Sequence, residues 1–140
     1  MLSKDYIIGL TDGEGSFSIY PRPSKVSSWH NRVECHYYLK LRKDELPLLK
    51  KVEEFFKCGR ISLQRDKRIN HSDCYRFEIS DLKNIQKIVV PLFKRNTPYS
   101  VNRKRDFELF CRIIDMVDKK KHQTPIGWKK IIKLKSRMHK

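Results

Sequence analysis

Polar and apolar positions alternate most strictly between Val33 and Leu41. Val33, Cys35, Tyr37, Leu39 and Leu41 share one face, and Glu34, His36, Tyr38 and Lys40 share the other. A period of two with one apolar side predicts a strand that is buried on one face and wet on the other. Elsewhere the period is helical. Lys4 to Asp12 predicts a helix with Ser3 at its N-cap and Gly13 just past its end. Leu46, Leu49, Val52, Phe55 and Phe56 form the apolar stripe of a helix capped by Asp44, running through Lys57 and closed by Cys58-Gly59. Leu82, Ile85, Ile88, Val89 and Leu92 predict a helix capped by Asp81 and interrupted by Pro91. Ser100 starts a helix through about Met116, with Phe107, Phe110, Ile113, Ile114 and Val117 buried. The stretch from Thr124 to Gly127 breaks the chain. A last helix, Trp128 to Arg137, puts Trp128, Ile131, Ile132 and Lys135 on one side.

Three shorter strands complete the set: Ser16 to Tyr20, ending at Pro21-Arg22-Pro23; Arg60 to Gln64; and Cys74 to Ser80. Polar loops, Ser24 to Arg32 and Arg65 to Asp73, interrupt the strand pairs. The order is α-β-β-α-β-β-α followed by a further helix. Pairs of strands between helices argue for an α+β fold with an antiparallel sheet. The length is that of one domain, assigned to residues 1–118, with a basic extension over 119–140 packed on it.

Charge narrows the choice of partner. The chain of 140 residues carries a formal net charge of +16, which favours a polyanion. Nine Lys or Arg and no acid lie between Lys119 and Lys140, the pattern of a backbone clamp. No apolar run reaches the roughly 18 residues of a membrane span, and Met1 to Asp5 lacks a signal-peptide pattern. The protein is therefore expected in a cytoplasmic or organellar-matrix compartment, neither secreted nor membrane-bound. Asn70-His71-Ser72 matches a glycosylation sequon, which carries no weight without a secretory signal. Cys35, Cys58, Cys74 and Cys111 have no C-x-x-C spacing and read as reduced thiols.

The chemistry concentrates in Tyr6-Ile7-Ile8-Gly9-Leu10-Thr11-Asp12-Gly13-Glu14-Gly15. A helix-interior glycine such as Gly9 costs about 1 kcal/mol relative to alanine, and close approach of another backbone is one reason to accept that. Glu14 stands between two glycines. A carboxylate facing phosphates becomes favourable only with a cation between them, and carboxylate plus phosphate oxygen is a ligand set for Mg²⁺. The Gly13 carbonyl can add a ligand. One carboxylate is too little for two-metal phosphodiester hydrolysis, and a two-fold dimer supplies the second. That dimer would form through Ile7, Gly9, Leu10, Asp12 and Gly13, and would predict a near-palindromic target.

The ten-residue stretch and the order of elements resemble the LAGLIDADG homing endonucleases, in the type with a single motif per chain. The resemblance implies a homodimeric, intron-encoded DNA endonuclease that makes a staggered double-strand break in a long site. It would depend on Mg²⁺, with Mn²⁺ substituting and Ca²⁺ binding without cleavage. It implies a metal role for Glu14 and a helix-capping role for Asp12. The family's basic segment before Asp-Phe matches Asn102 to Phe107, which makes Lys104 and then Arg103 candidates beside the active site. Arg42 and Lys43 stand where relatives often carry glutamine.

Duplex DNA would meet the polar strand faces. These carry Ser16, Ser18, Tyr20 and Arg22; Glu34, His36, Tyr38 and Lys40; Arg60, Ser62 and Gln64; and Arg76, Glu78 and Ser80. Donors, acceptors and flat rings suit base edges, and Lys25, His30, Arg32 and Arg68 in the loops extend the contact. The alternative is a LAGLIDADG-derived RNA maturase or a non-cleaving DNA-binding protein.

Overall fold

The computed structural model describes residues 1–68 and 71–140; Asn70 of the sequon and its neighbour at position 69 in the long loop lie outside the described residues. The elements are α1 (Lys4–Glu14), β1 (Gly15–Arg22), β2 (Arg32–Arg42), α2 (Leu46–Phe56), β3 (Arg60–Gln64), β4 (Cys74–Ile79), α3 (Leu82–Asn84), α4 (Val90–Arg95), α5 (Val101–Asp118) and α6 (Pro125–Lys135). The four strands form one antiparallel sheet in the order β1-β2-β4-β3. The fold is therefore α+β, as the strand pairs predict.

The alternation in β2 is realised: Cys35, Tyr37 and Leu39 are buried while Lys40 is exposed. Phe17 of β1 organises the core. Its ring lies 5.1 to 5.5 Å from those of Tyr37, Phe93, Phe107 and Phe110, tying β2, α4 and α5 to one strand. Full burial of such a side chain contributes about 1.5–3 kcal/mol. Cys35 lies in the same core, where burial pushes its thiol up to about 12, and all four cysteines are free.

Several expected boundaries change. Helix α1 does not stop at Asp12 but runs to Glu14, so Gly13 belongs to its last turn. Strand β1 continues through Pro21 to Arg22; a proline is tolerated because β1 is an edge strand. Asp44 does not cap α2. It sits inside a 3₁₀ turn, Lys43–Glu45, and α2 begins at Leu46 with no side-chain cap and with Pro47 in its first turn. Pro91 does not interrupt the chain. The turns Ile85–Val89 widen to π geometry, with the Val90 N–H donating to the Ile85 carbonyl. The wider ladder accommodates a residue that lacks an N–H and whose ring crowds the preceding turn.

The C-terminal break is also corrected. Thr124 is the N-cap of α6, accepting from the Gly127 N–H at 3.1 Å, and Pro125 opens the helix. The buried side of α6 is Gly127, Ile131 and Leu134, with Met138 beyond it; Ile132 is turned to solvent. Helix α6 packs on α5, and its apolar side joins the same core as the sheet.

Candidate active site and nucleic-acid interface

Helix α1 starts where Ser3 accepts a hydrogen bond from the Tyr6 N–H at 3.1 Å. Its inner side is Ile7, Ile8 and Thr11. The hydroxyls of Thr11 and Tyr37 share a buried hydrogen bond of 2.7 Å, and burial raises the Tyr37 phenol far above its ordinary value. Ile7 is fully buried in the chain's own core, which corrects its placement at a dimer interface. The outer side carries Gly9 and Gly13, both exposed. A methyl built on Gly9 would meet nothing within 4 Å in this chain. The face is open, and partly buried Leu10 lies between its two glycines.

Three residues at the end of α1 have distinct settings. The Asp12 carboxylate accepts from the Tyr99 N–H at 3.0 Å and the Ser100 N–H at 3.2 Å. It thus caps the approach to α5 and fastens the start of α5 to the end of α1. Glu14 is exposed, and its carboxylate has no hydrogen bond or ion pair among the described residues. Gly15 is needed for packing: a methyl there would lie 2.7 to 2.9 Å from Thr11. The sharp exit from helix to strand, not room for a ligand, therefore explains that glycine.

A helix C-terminus carries unpaired carbonyls and a partial negative charge. Glu14 and the Gly13 carbonyl thus stand together in a place suited to a divalent cation. No group of three or more His, Cys, Asp or Glu that could hold a metal exists among the described residues. The donor set fits half of a metal site, with oxygen ligands of the hard type Mg²⁺ takes.

Basic side chains gather at the same end. Ser100 caps α5 by accepting from the Arg103 N–H at 3.3 Å, and Lys104 lies exposed in that first turn. The Arg103 side chain is half-buried, with its Nε lacking a partner among the described residues. At the other side, Gly15 pairs with Leu39, so Lys40, Leu41 and Arg42 run past the start of β1, and Asp44 and Glu45 beyond them lie with Leu2 and Tyr6 at the start of α1. Arg42 lies 3.7 Å from Asp44, and the exposed Lys43 is held by its N–H to the Asp73 carbonyl at 3.0 Å.

The polar sheet face forms cross-strand rows. Ser16 pairs with Tyr38, Tyr38 with Glu78 and Glu78 with Arg60; Lys40 pairs with Arg76 and Arg76 with Ser62; Gln64 continues the face, and Ser80 follows β4 exposed. A charge network links these residues. Arg22 donates to Glu34 at 3.0 Å, and this guanidinium holds the Glu34 carboxyl below the usual carboxylate range. His36 lies 3.2 Å from Glu34 and 3.3 Å from Glu78, with Tyr20 edge-on to its ring at 4.8 Å between centroids. Arg76 lies 2.8 Å from Glu78, in poor alignment for a hydrogen bond, and its guanidinium covers the Tyr38 ring at 3.6 Å.

Ser18 is the exception to the exposed face. It is buried, with the His139 ring 3.5 Å away, so it is not the open groove contact its strand parity predicts. Lys25, His30 and Arg32 stand exposed around the first hairpin loop, and Arg68 is exposed but paired with Asp66. Sequence reasoning missed Asn31, which accepts from the Ser24 N–H at 2.8 Å and donates to the His122 carbonyl at 3.4 Å. That brace joins the loop's two ends to the C-terminal region. An Asn beside a strand start was its only local signal.

Comparison with known proteins gives concordant results. Residues 7–114 match the LAGLIDADG endonuclease family. Probable intron-encoded endonuclease 2 of Neurospora crassa is 28% identical over 134 residues, 94% of this chain and 28% of that protein. Probable intron-encoded endonuclease 3 of the same organism is 29% identical over 132 residues, 94% of this chain and 24% of that protein. The chain thus spans about a quarter of the length of these relatives. Among solved structures, the homing endonuclease I-TnaI superposes with a TM-score of 0.83 at 27% identity, covering 99% of this chain and 89% of that one. The I-SmaMI LAGLIDADG homing endonuclease bound to cleaved DNA gives 0.85 at 25% identity, covering 100% of this chain and 45% of that one.

Proposed function

Because this chain belongs to the LAGLIDADG endonuclease family, we propose that it is a site-specific homing endonuclease. It makes a staggered break in both strands of a long, near-palindromic DNA duplex, acts as a homodimer, and is encoded within an intron. The observation that carries this reading is Glu14, an exposed carboxylate without a protein partner among the described residues, on the helix whose outer face bears two uncovered glycines. One protomer supplies one such carboxylate. Two copies meeting through Gly9, Leu10 and Gly13 supply two, near a common axis.

Glu14, with the Gly13 carbonyl, would hold Mg²⁺. The chemistry such a cation would supply when bound is polarisation of the phosphate and a lowered pKa for water. The chain's own groups do the rest. Strands β1 to β4 bind and orient the duplex, and the charge network of Arg22, Glu34, His36, Glu78 and Arg76 keeps their side chains in fixed positions before DNA arrives. Lys104 and Arg103 place positive charge beside the phosphate as negative charge builds, with Arg42 and Lys43 as the corresponding pair at the end of β2. Residues 119–140 belong to the same domain and carry nine of its sixteen excess positive charges. Among the described residues no helix is long and apolar enough to cross a membrane; action in a cytoplasmic or organellar matrix belongs to the proposal.

The test starts from a randomised duplex library enriched on the wild-type protein with Ca²⁺. The enriched duplex is then incubated with Mg²⁺ or Mn²⁺. Both strands should be cut with short overhangs, and Ca²⁺ alone should support binding only. Tight binding with no cutting in either metal would overturn the nuclease assignment and leave the non-cleaving DNA-binding alternative.

A further inference from the structure

Resting on that endonuclease reading, we propose that the C-terminal tail is part of the DNA-binding surface, with His139 contacting a backbone phosphate beside the strand that leaves Glu14. The tail is built into the fold. Met138 is buried in the core cluster, so the chain is anchored one residue before the histidine. Asp106 of α5 is only 2% exposed, yet its carboxylate is the tail's clamp. It accepts the His139 backbone N–H at 3.0 Å and lies 3.2 Å from His139 Nδ1. Arg105 donates to the same Asp106 Oδ1 at 3.2 and 3.3 Å. His139 makes both contacts from a left-handed backbone with φ of 58°, a conformation uncommon for non-glycine residues that histidine takes more readily than most.

The result is an imidazole with one nitrogen fixed and the other directed across the sheet. Nε2 lies 3.5 Å from the Ser18 Oγ, which in turn bonds the Ser16 Oγ at 2.8 Å. That row leads back along β1 to Glu14. The His139 side chain stays 45% exposed, and Lys140 follows it into solvent. A carboxylate holding Nδ1 sets the ring's orientation and leaves Nε2 as the working edge. With Nδ1–H given to Asp106, Nε2 of the neutral ring is an acceptor, whereas the protonated ring donates from both nitrogens; in that form the ring edge over Ser18, on the polar face of the strand that leaves Glu14, suits a phosphate oxygen.

The test uses the duplex enriched by the wild-type protein, with Ca²⁺ to prevent cutting. His139→Ala and a chain ending at Met138 should each bind about tenfold more weakly at a temperature where circular dichroism shows both folded, since each takes a partner from the buried Asp106 carboxylate and lowers the melting temperature. Measured below about pH 6, where an ordinary imidazole is charged, the slope of log K against log salt should become shallower by about 0.9 for each phosphate no longer neutralised, hence about 1.8 per dimer for His139→Ala and more for the chain ending at Met138, which also lacks Lys140. His139→Arg should restore both. In the wild-type protein, modification of His139 by diethyl pyrocarbonate should slow when the duplex is bound, a readout that does not depend on any variant folding. Wild-type affinity and slope in His139→Ala, or a modification rate indifferent to DNA, would overturn the tail contact alone. Failure of the wild-type protein to enrich any duplex would instead remove the endonuclease reading and this proposal with it.

Discussion

Replacing Gly9 by glutamine should strengthen the protomer and weaken the proposed dimer. The two effects have opposite signs because they arise on opposite sides of the same surface. Within one chain, a Cβ at Gly9 has open space around it, so the substitution adds no clash. Glutamine is a far better helix former than glycine, which gains about 0.7 kcal/mol for an exposed helix-interior site. For a domain of this size that raises the melting temperature of dilute, dissociated protein by about 2–3 °C. At a two-fold axis the same side chain enters the interface twice. Overpacking costs about 1–3 kcal/mol per site, so the dimer loses about 2–6 kcal/mol, or roughly 30-fold to more than 10⁴-fold in its dissociation constant. Sedimentation equilibrium measures the second quantity and thermal melting at low concentration the first. A Gly9→Gln protein with a dimer constant within twofold of wild type would refute the placement of this helix face at the axis, whatever its melting temperature.

Three further outcomes follow from the same geometry. Glu14→Gln should bind DNA normally but cut at least about 10³-fold more slowly, the equivalent of about 4 kcal/mol of lost charge stabilisation; because Glu14 is exposed and unpaired among the described residues, stability should stay within about 0.5 kcal/mol. Near wild-type cutting by that variant would remove the metal assignment. Asp12→Ala should cost about 2 kcal/mol, since the N–H groups of Tyr99 and Ser100 lose a charged acceptor, and hydrogen exchange at those two amides should accelerate; unchanged exchange would mean that Asp12 does not hold the start of α5. With roughly ten phosphate contacts per dimer, log K against log salt should slope near −9, and a slope shallower than about −3 would mean that the basic C-terminal region does not grip DNA.

Some of this is legible residue by residue. The alternation in β2, the stripe of α2 and the caps at Ser3, Asp81 and Ser100 are all readable, because each is a local pattern whose physics involves neighbours within one turn or one pleat. The sequence misleads where two local signals compete. Gly13 looks like a helix terminator, yet the helix continues to Glu14 and turns sharply only at Gly15, where Thr11 excludes a side chain. Thr124-Pro125 looks like a break but is an N-cap followed by a proline whose missing N–H costs nothing in a first turn. Pro91 looks like an interruption, and the backbone widens around it instead.

By itself the sequence determined the period of each segment, and so which side chains share a face. It also determined that two carboxylates, Asp12 and Glu14, stand near the end of the first helix in a strongly basic chain. Only the tertiary structure decided which side of α1 faces inward, burying Ile7 and leaving Gly9 open. It alone placed the Asp12 carboxylate on backbone 87 and 88 residues away, and a tail histidine over a serine 121 residues before it. The physical reason is reach. Periodicity comes from the backbone geometry of a few consecutive residues, whereas these contacts depend on how the whole sheet and its helices pack, which no short stretch of chain encodes.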